Sequence, residues 1–96
     1  MLELRPTCEH CNKPLPYNST EAMICTFECT FCEQCVNELL MNVCPNCGGG
    51  FVKRPIRPKV HLEKYPPGTV PVHKPVDLAA HAIRIQKLAN IDPQDR

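Results

Sequence analysis

The sequence predicts a small metal-stabilised α+β domain followed by a proline-rich tail that ends in a short helix. Three observations carry this. All eight cysteines lie between Cys8 and Cys47, with none in the second half of a 96-residue chain. They follow a paired spacing, C-x2-C-x13-C-x3-C-x2-C-x2-C-x8-C-x2-C. The aromatic residues are only Phe27, Phe31, Phe51, Tyr17 and Tyr65, with no tryptophan, and so short a domain leaves much of its apolar surface in water unless it is stapled. A large enzyme-type core with a deep substrate pocket is excluded on that scale.

The cysteines are the staple. In a secreted chain this density reads as disulfides. Here the opening Met1-Leu2-Glu3-Leu4-Arg5-Pro6 lacks the basic and apolar regions of a secretory signal, and no apolar run approaches the roughly 20 residues that cross a bilayer. The expected setting is the cytoplasm, where thiols stay reduced and a bare thiol cluster adds little stability. A metal resolves the difficulty. A tight C-x2-C turn brings two sulfurs to about 3.8 Å, the edge of a tetrahedron with Zn–S of about 2.3 Å. Eight ligands make two closed sites, which predicts two Zn2+ and leaves no cysteine spare for catalysis. Iron–sulfur clusters use other spacings, and two sites in one short domain favour zinc over rubredoxin-like iron. Closed four-cysteine sites have no open coordination position for water or substrate, so the chain is predicted not to be an enzyme. Spacing leaves the pairing open. A sequential scheme puts Cys8, Cys11, Cys25 and Cys29 on one ion. An interleaved scheme joins Cys8 and Cys11 with Cys32 and Cys35, and Cys25 and Cys29 with Cys44 and Cys47.

Along the chain, residues 1–7 read as an extended lead-in, with Leu2 and Leu4 alternating against Glu3 and Arg5. Pro14, Pro16, Asn18 and Ser19 mark a loop. Residues 21–27 read as a small hairpin leading into Cys29. Val36, Leu39, Leu40 and Val43 stand at i, i+3, i+4 and i+7, one face of two helical turns, expected to be core rather than a partner surface. Gly48-Gly49-Gly50 follows the last cysteine pair, where side chains would crowd the returning backbone; with no strand-then-helix frame it is not a phosphate loop. These elements form a double zinc-binding domain over 1–52. Residues 53–76, with Pro55, Pro58, Pro66, Pro67, Pro71 and Pro75, form a basic proline-rich linker. An amphipathic helix is predicted within 77–92, with Asp77 as N-cap, Leu78, Ala82, Ile85 and Ala89 on one face, and 93–96 as the C-terminal end. So short a helix is marginal in water, and it must dock on the zinc domain, on a second copy or on a foreign chain.

Residues 8–47 resemble a RING-type cross-brace finger. The likeness rests on Cys29-Thr30-Phe31-Cys32-Glu33-Gln34-Cys35, with an aromatic just before the fifth ligand, and on the closing Cys44-Pro45-Asn46-Cys47. The helical stretch 36–43 stands where a RING helix follows the sixth ligand. The resemblance implies a RING-like cross-brace with the interleaved pairing: Cys8, Cys11, Cys32 and Cys35 on one ion, and Cys25, Cys29, Cys44 and Cys47 on the other. RING ubiquitin ligases dock a conjugating enzyme through an apolar residue in the first C-x2-C, an aromatic before the seventh ligand and a basic residue after the eighth. Those places here hold Glu9-His10, Val43 and Gly48. The fourth ligand, Cys29, is usually histidine in that family, and the x3 spacing before it is usually x1. The chain also resembles an uncharacterised bacterial family of small eight-cysteine proteins, a domain of unknown function. Leu2-Glu3-Leu4-Arg5-Pro6, Ser19-Thr20-Glu21-Ala22 and Cys25-Thr26-Phe27-Glu28-Cys29-Thr30-Phe31-Cys32 carry that likeness, which implies no ubiquitin system.

Charge separates the two halves. Residues 1–52 hold two Lys/Arg against six Asp/Glu, and residues 53–96 nine against four. Thiolates around two Zn2+ make the first half more acidic still, which disfavours phosphate binding by the finger itself. Lys53, Arg54, Arg57, Lys59 and Lys64 form a basic cluster that suits a nucleic-acid backbone, or that folds back along the acidic domain. His10, His61, His73 and His81 have no ligand-like spacing, although His10, inside the first cysteine pair, is placed to orient a sulfur. The expected role is a protein-interaction adaptor or small regulator. The alternatives are a nucleic-acid-associated regulator acting through the tail and a RING-type ubiquitin ligase component.

Overall fold

The computed structural model describes residues 1–96. β1 (Ala22–Ile24) and β2 (Thr30–Cys32) pair antiparallel, with Ala22 opposite Cys32 and Ile24 opposite Thr30. Glu28, at a left-handed φ of 62°, closes the loop between them. Its N–H donates to the Cys25 carbonyl at 3.0 Å, and the Cys25 N–H donates to the Cys29 carbonyl at 3.3 Å. The hairpin expected over 21–27 therefore keeps its first strand but returns later. Thr26 and Phe27 are spent in the turn that draws Cys25 toward Cys29. β3 (Val52–Lys53) pairs with the other edge of β1, giving the order β2-β1-β3.

β2 runs directly into α1 (Glu33–Cys35), which widens into a π-helical turn over Val36–Leu40. The Cys32 sulfur caps α1 by accepting the Cys35 N–H at 3.5 Å. Met41 and Asn42, at φ of 51° and 58°, turn the chain out of the helix. Val36, Leu40 and Val43 face inward and are buried, whereas Leu39 is 37% exposed. The predicted apolar stripe is thus core at three of its four positions.

Half of the principal core is sulfur. Of its twelve residues six are cysteines, packed with Leu15, Ala22, Phe31, Val36, Leu40 and Phe51. Phe31 and Phe51 meet edge to face at 5.5 Å, the geometry the ring quadrupoles favour.

Residues 53–76, expected as an extended basic spacer, run back over this core. Arg54 is buried and donates to the carbonyls of Arg5 at 2.9 Å, Leu15 at 3.1 Å and Pro16 at 2.9 Å. Burial pulls its pKa down, but each carbonyl replaces part of the lost hydration. Arg54 is therefore corrected from a phosphate-binding candidate to an internal strut. Arg57 likewise donates to the carbonyls of Leu2 and Tyr65, and the Lys53 ammonium to Thr20 O and the Glu33 carboxylate. Gly68 N–H donates to Leu4 O at 2.9 Å, and Lys74 N–H to Glu9 O at 2.8 Å.

The tail helix, α2 (Leu78–Leu88), starts where predicted, with Asp77 Oδ1 accepting from the N–H groups of Ala79 and Ala80 at 3.1 and 3.2 Å. It docks on the cysteine-rich domain by a face rotated from the expected one. Leu78 is exposed, whereas His81 is fully buried and its Nε2 donates to Leu40 O at 3.1 Å, at the end of the π-helical turn. Leu40 O already accepts from Val43 N–H at 3.0 Å, and the imidazole supplies its second hydrogen bond, which an aliphatic side chain could not. At the C-terminus the Arg96 guanidinium reaches Asn42 O at 2.8 Å and Gly48 O at 3.2 Å. No helix is long and apolar enough to cross a membrane.

Arg54→Ala is expected to lower unfolding stability by about 2–4 kcal/mol, since three carbonyls lose a charged donor at once. Asp77→Ala should cost about 1 kcal/mol through the lost cap. Urea unfolding of the purified chain checks both, and equal effects would refute the central role given to Arg54.

Candidate metal centre

Two tight turns of the same construction frame the cysteines. In the first, Cys8 N–H donates to Lys13 O at 2.9 Å, and Asn12 N–H donates to Cys8 O at 2.9 Å. In the last, Cys44 N–H donates to Gly49 O at 2.8 Å, and Gly48 N–H donates to Cys44 O at 2.9 Å. Asn12 (φ 63°) and Gly48 (φ 77°) occupy equivalent left-handed positions, four residues after the leading cysteine. At Gly48 space is limiting as well, because a Cβ would meet Leu88 Cδ1 at 3.0 Å.

These turns gather two groups of sulfurs. The Sγ atoms of Cys8, Cys11, Cys32 and Cys35 lie within 4.8 Å of one another, with Cys11 and Cys32 3.8 Å apart. That separation is the edge of a tetrahedron around an ion with metal–sulfur bonds of about 2.3 Å. A second group contains Cys25, Cys44 and Cys47 at the same mutual limit. Cys29 falls outside it, although it is buried in the same core and its Sγ accepts a hydrogen bond from Asn46 Nδ2 at 3.3 Å. The donor set fits a soft, sulfur-seeking ion: neither group includes a carboxylate or an imidazole.

Backbone donors surround the sulfurs. The N–H groups of Phe27, Asn46 and Gly49 point at Cys25, Cys44 and Cys47 Sγ, each at 3.4 Å. Electrostatics inside the groups are uneven. Burial pushes the Cys35 and Cys44 thiols far up, and charge on neighbouring sulfurs pushes in the same direction. Burial also raises Cys8 and Cys25. At Cys11 and Cys47 burial acts upward too, but backbone N–H groups of Lys13 and Gly49 and the adjoining thiols outweigh it and bring them below the ordinary value. Each group thus accommodates an outer thiolate readily and resists further ones unless a cation joins them.

Polar residues inside the cysteine pairs tie these groups to the rest of the chain. Glu9, inside the first pair, is buried; its carboxylate accepts from the Arg5 guanidinium at 2.7 Å and from Thr30 N–H, tying the first turn to β2. His10 does not orient a sulfur as expected. Its Nδ1 accepts from Val76 N–H at 2.9 Å, while its carbonyl accepts from His73 Nε2 at 3.2 Å, so this histidine clasps the tail. Their one sequence signal is placement: Glu9 and His10 sit inside the first C-x2-C pair, and Asn46 inside the last.

A family model described as "Protein of unknown function (DUF1272)" matches residues 1–57, a span that includes all eight cysteines and the Arg54 strut. The chain belongs to the DUF1272 family. Among its relatives is an uncharacterised protein of Rhizobium meliloti (strain 1021), 57% identical over 75 residues, which cover 78% of this chain and 89% of the relative. That alignment is longer than the family match, so the likeness of this DUF1272 chain extends into its tail. No solved structure matches the chain.

Without metal, the raised thiols of Cys8, Cys25, Cys35 and Cys44 and the lowered ones of Cys11 and Cys47 make stability depend on pH in opposite directions. A thiol whose folded pKa lies above its unfolded value of about 9 stabilises the fold below that pH and loses its contribution as pH rises. A metal-loaded fold has the opposite sign, because ligands must be thiolates and acid returns their protons. Thermal unfolding of the loaded chain should therefore move to lower temperature as pH falls from 8 to 5; a midpoint that does not fall would contradict the ligand assignment.

Proposed function

We propose that this DUF1272 chain is a non-enzymatic zinc module in which two Zn2+ complete a core too small to fold by itself. Cys8, Cys11, Cys32 and Cys35 hold one ion; Cys25, Cys29, Cys44 and Cys47 hold the other, in a RING-like cross-brace. The observation that carries this reading is the first group, four sulfurs within 4.8 Å of one another and drawn from the Cys8–Cys11 turn and from the junction of β2 with α1. Zinc in such sites supplies folding energy and leaves no ligand position for reacting water. The chain's own part is to hold the sulfurs, shield them from solvent and donate backbone N–H groups to their charge.

The module acts, in this reading, as a protein-interaction adaptor of the reducing cytoplasm. Support comes from apolar side chains held outward beside the cysteines. Phe27 is 72% exposed at the tip of the Cys25–Cys29 loop, and Met41 is 47% exposed after the π-helical turn. Two positions used by RING ligases weigh against ligase chemistry, since Glu9 and Val43 are both buried. The nucleic-acid alternative is weakened by the internal use of Lys53, Arg54 and Arg57, which leaves Lys59 and Lys64 of the five.

Elemental analysis of the reduced chain should return two zinc equivalents, and removing them with chelator should abolish the folded circular-dichroism and amide dispersion signals. One equivalent, or a fold that survives chelation, refutes the zinc reading. Phe27→Asp and Met41→Asp should keep both ions yet abolish a stoichiometric protein contact; a contact retained by both variants refutes the adaptor surface.

A further inference from the structure

The two cysteine groups are built alike in backbone but not in side chains. The third residue of the first C-x2-C turn is His10, and that of the last is Asn46. His10 spends its ring on the tail, at Val76 N–H. Asn46 turns inward instead. Its backbone N–H points to Cys44 Sγ at 3.4 Å and its Nδ2 to Cys29 Sγ at 3.3 Å, so a single residue spans two sulfurs of the second site. A metal-bound thiolate only accepts hydrogen bonds, which fixes the amide with its NH2 edge toward Cys29. Cys29 is also the one cysteine that stands outside both tight groups. Whereas the first group has all four sulfurs brought together by the Cys8–Cys11 turn and the junction of β2 with α1, the second depends on a side chain for its last member.

Charge around Asn46 is mixed. It lines a cavity of about 160 Å³ together with Lys74 and Arg84, and with Glu9, which pairs with Arg5, and Asp77, which caps α2. Neither cation has a carboxylate partner within the chain. Four thiolates around a dication carry a net charge of −2, and the Asn46 amide draws density from one of these sulfurs.

We infer that Asn46 is the positioning residue that holds Cys29 as fourth ligand of the second site, and that this dependence makes the second site the more readily emptied of the two. The inference rests on the two-zinc reading and assigns to the sites an unequal hold on their metal. Loss of an outer partner of a metal ligand lowers affinity by roughly 10–100-fold.

The test uses the full chain loaded with 113Cd2+, whose two bound ions give separate resonances. The second site's signal is the one that Cys29→Ser perturbs. In the wild-type chain a competing chelator should empty that site first. In Asn46→Ala its resonance should shift, and its metal should be lost at roughly 10–100-fold lower chelator activity, with the first site unchanged as an internal check on folding. Asn46→Asp keeps the shape but loses the donor, and should weaken the same site; wild-type behaviour in that variant would mean that Asn46 merely fills space and would overturn the inference. Equal effects on both resonances, or none, would overturn it too. A wild-type chain that takes up fewer than two ions refutes the two-zinc reading itself, whereas two ions with unresponsive variants refutes only the role of Asn46.

Discussion

Placing sulfur where a protein of ordinary size would place leucine creates the constraint from which the rest of this structure follows. Six of the twelve core residues are cysteines, and two further cysteines border them. Thiols pack tolerably but contribute little apolar surface, and as thiolates they repel one another at the distances seen here. The backbone answers with tight turns that aim N–H groups at sulfur. In the proposed loaded state a dication removes the repulsion and converts the cluster from the weakest part of the core into its anchor.

Tight turns carry their own cost, because they leave inward-facing carbonyls with accepting capacity to spare. The tail addresses that cost. Arg54 takes three carbonyls around the first loop, His81 takes Leu40 O at the end of the π-helical turn, and Arg96 takes Asn42 O and Gly48 O beside the last turn. Four of the nine Lys/Arg residues in the second half, Lys53, Arg54, Arg57 and Arg96, thus act as donors to backbone oxygen. The charge asymmetry between the halves reads, in this light, as complementarity within one chain, with the acidic cysteine-rich part clasped by a basic strap.

The apolar side chains that remain outside are unevenly spread. Phe27 and Met41 stand at the margins of the cysteine-rich part, while Ile56 and Val60 stand on the strap. The former pair lies on turns beside the sulfur groups, and in the proposed adaptor reading they are the better recognition surface, since a side chain held out by a fixed turn loses little entropy on contact.

Local chemistry written in the chain determined much of this. Cysteine spacing marked the tight turns, Asp77 marked the start of α2, and Val36, Leu40 and Val43 marked an inward face, because each depends on neighbours only a few residues away. What lay beyond the sequence were the long-range choices. The return strand shifted to Thr30–Cys32, α2 rotated to bury His81, Arg54 turned inward, His10 joined the tail, and Cys29 came to rest against Asn46. Each of these is a polar group finding a partner from 17 to 66 residues away, or a strand yielding residues to a turn. Periodicity and spacing describe which residues are chemically able to meet; only the packed chain decides which unpaired carbonyl or sulfur each of them reaches first.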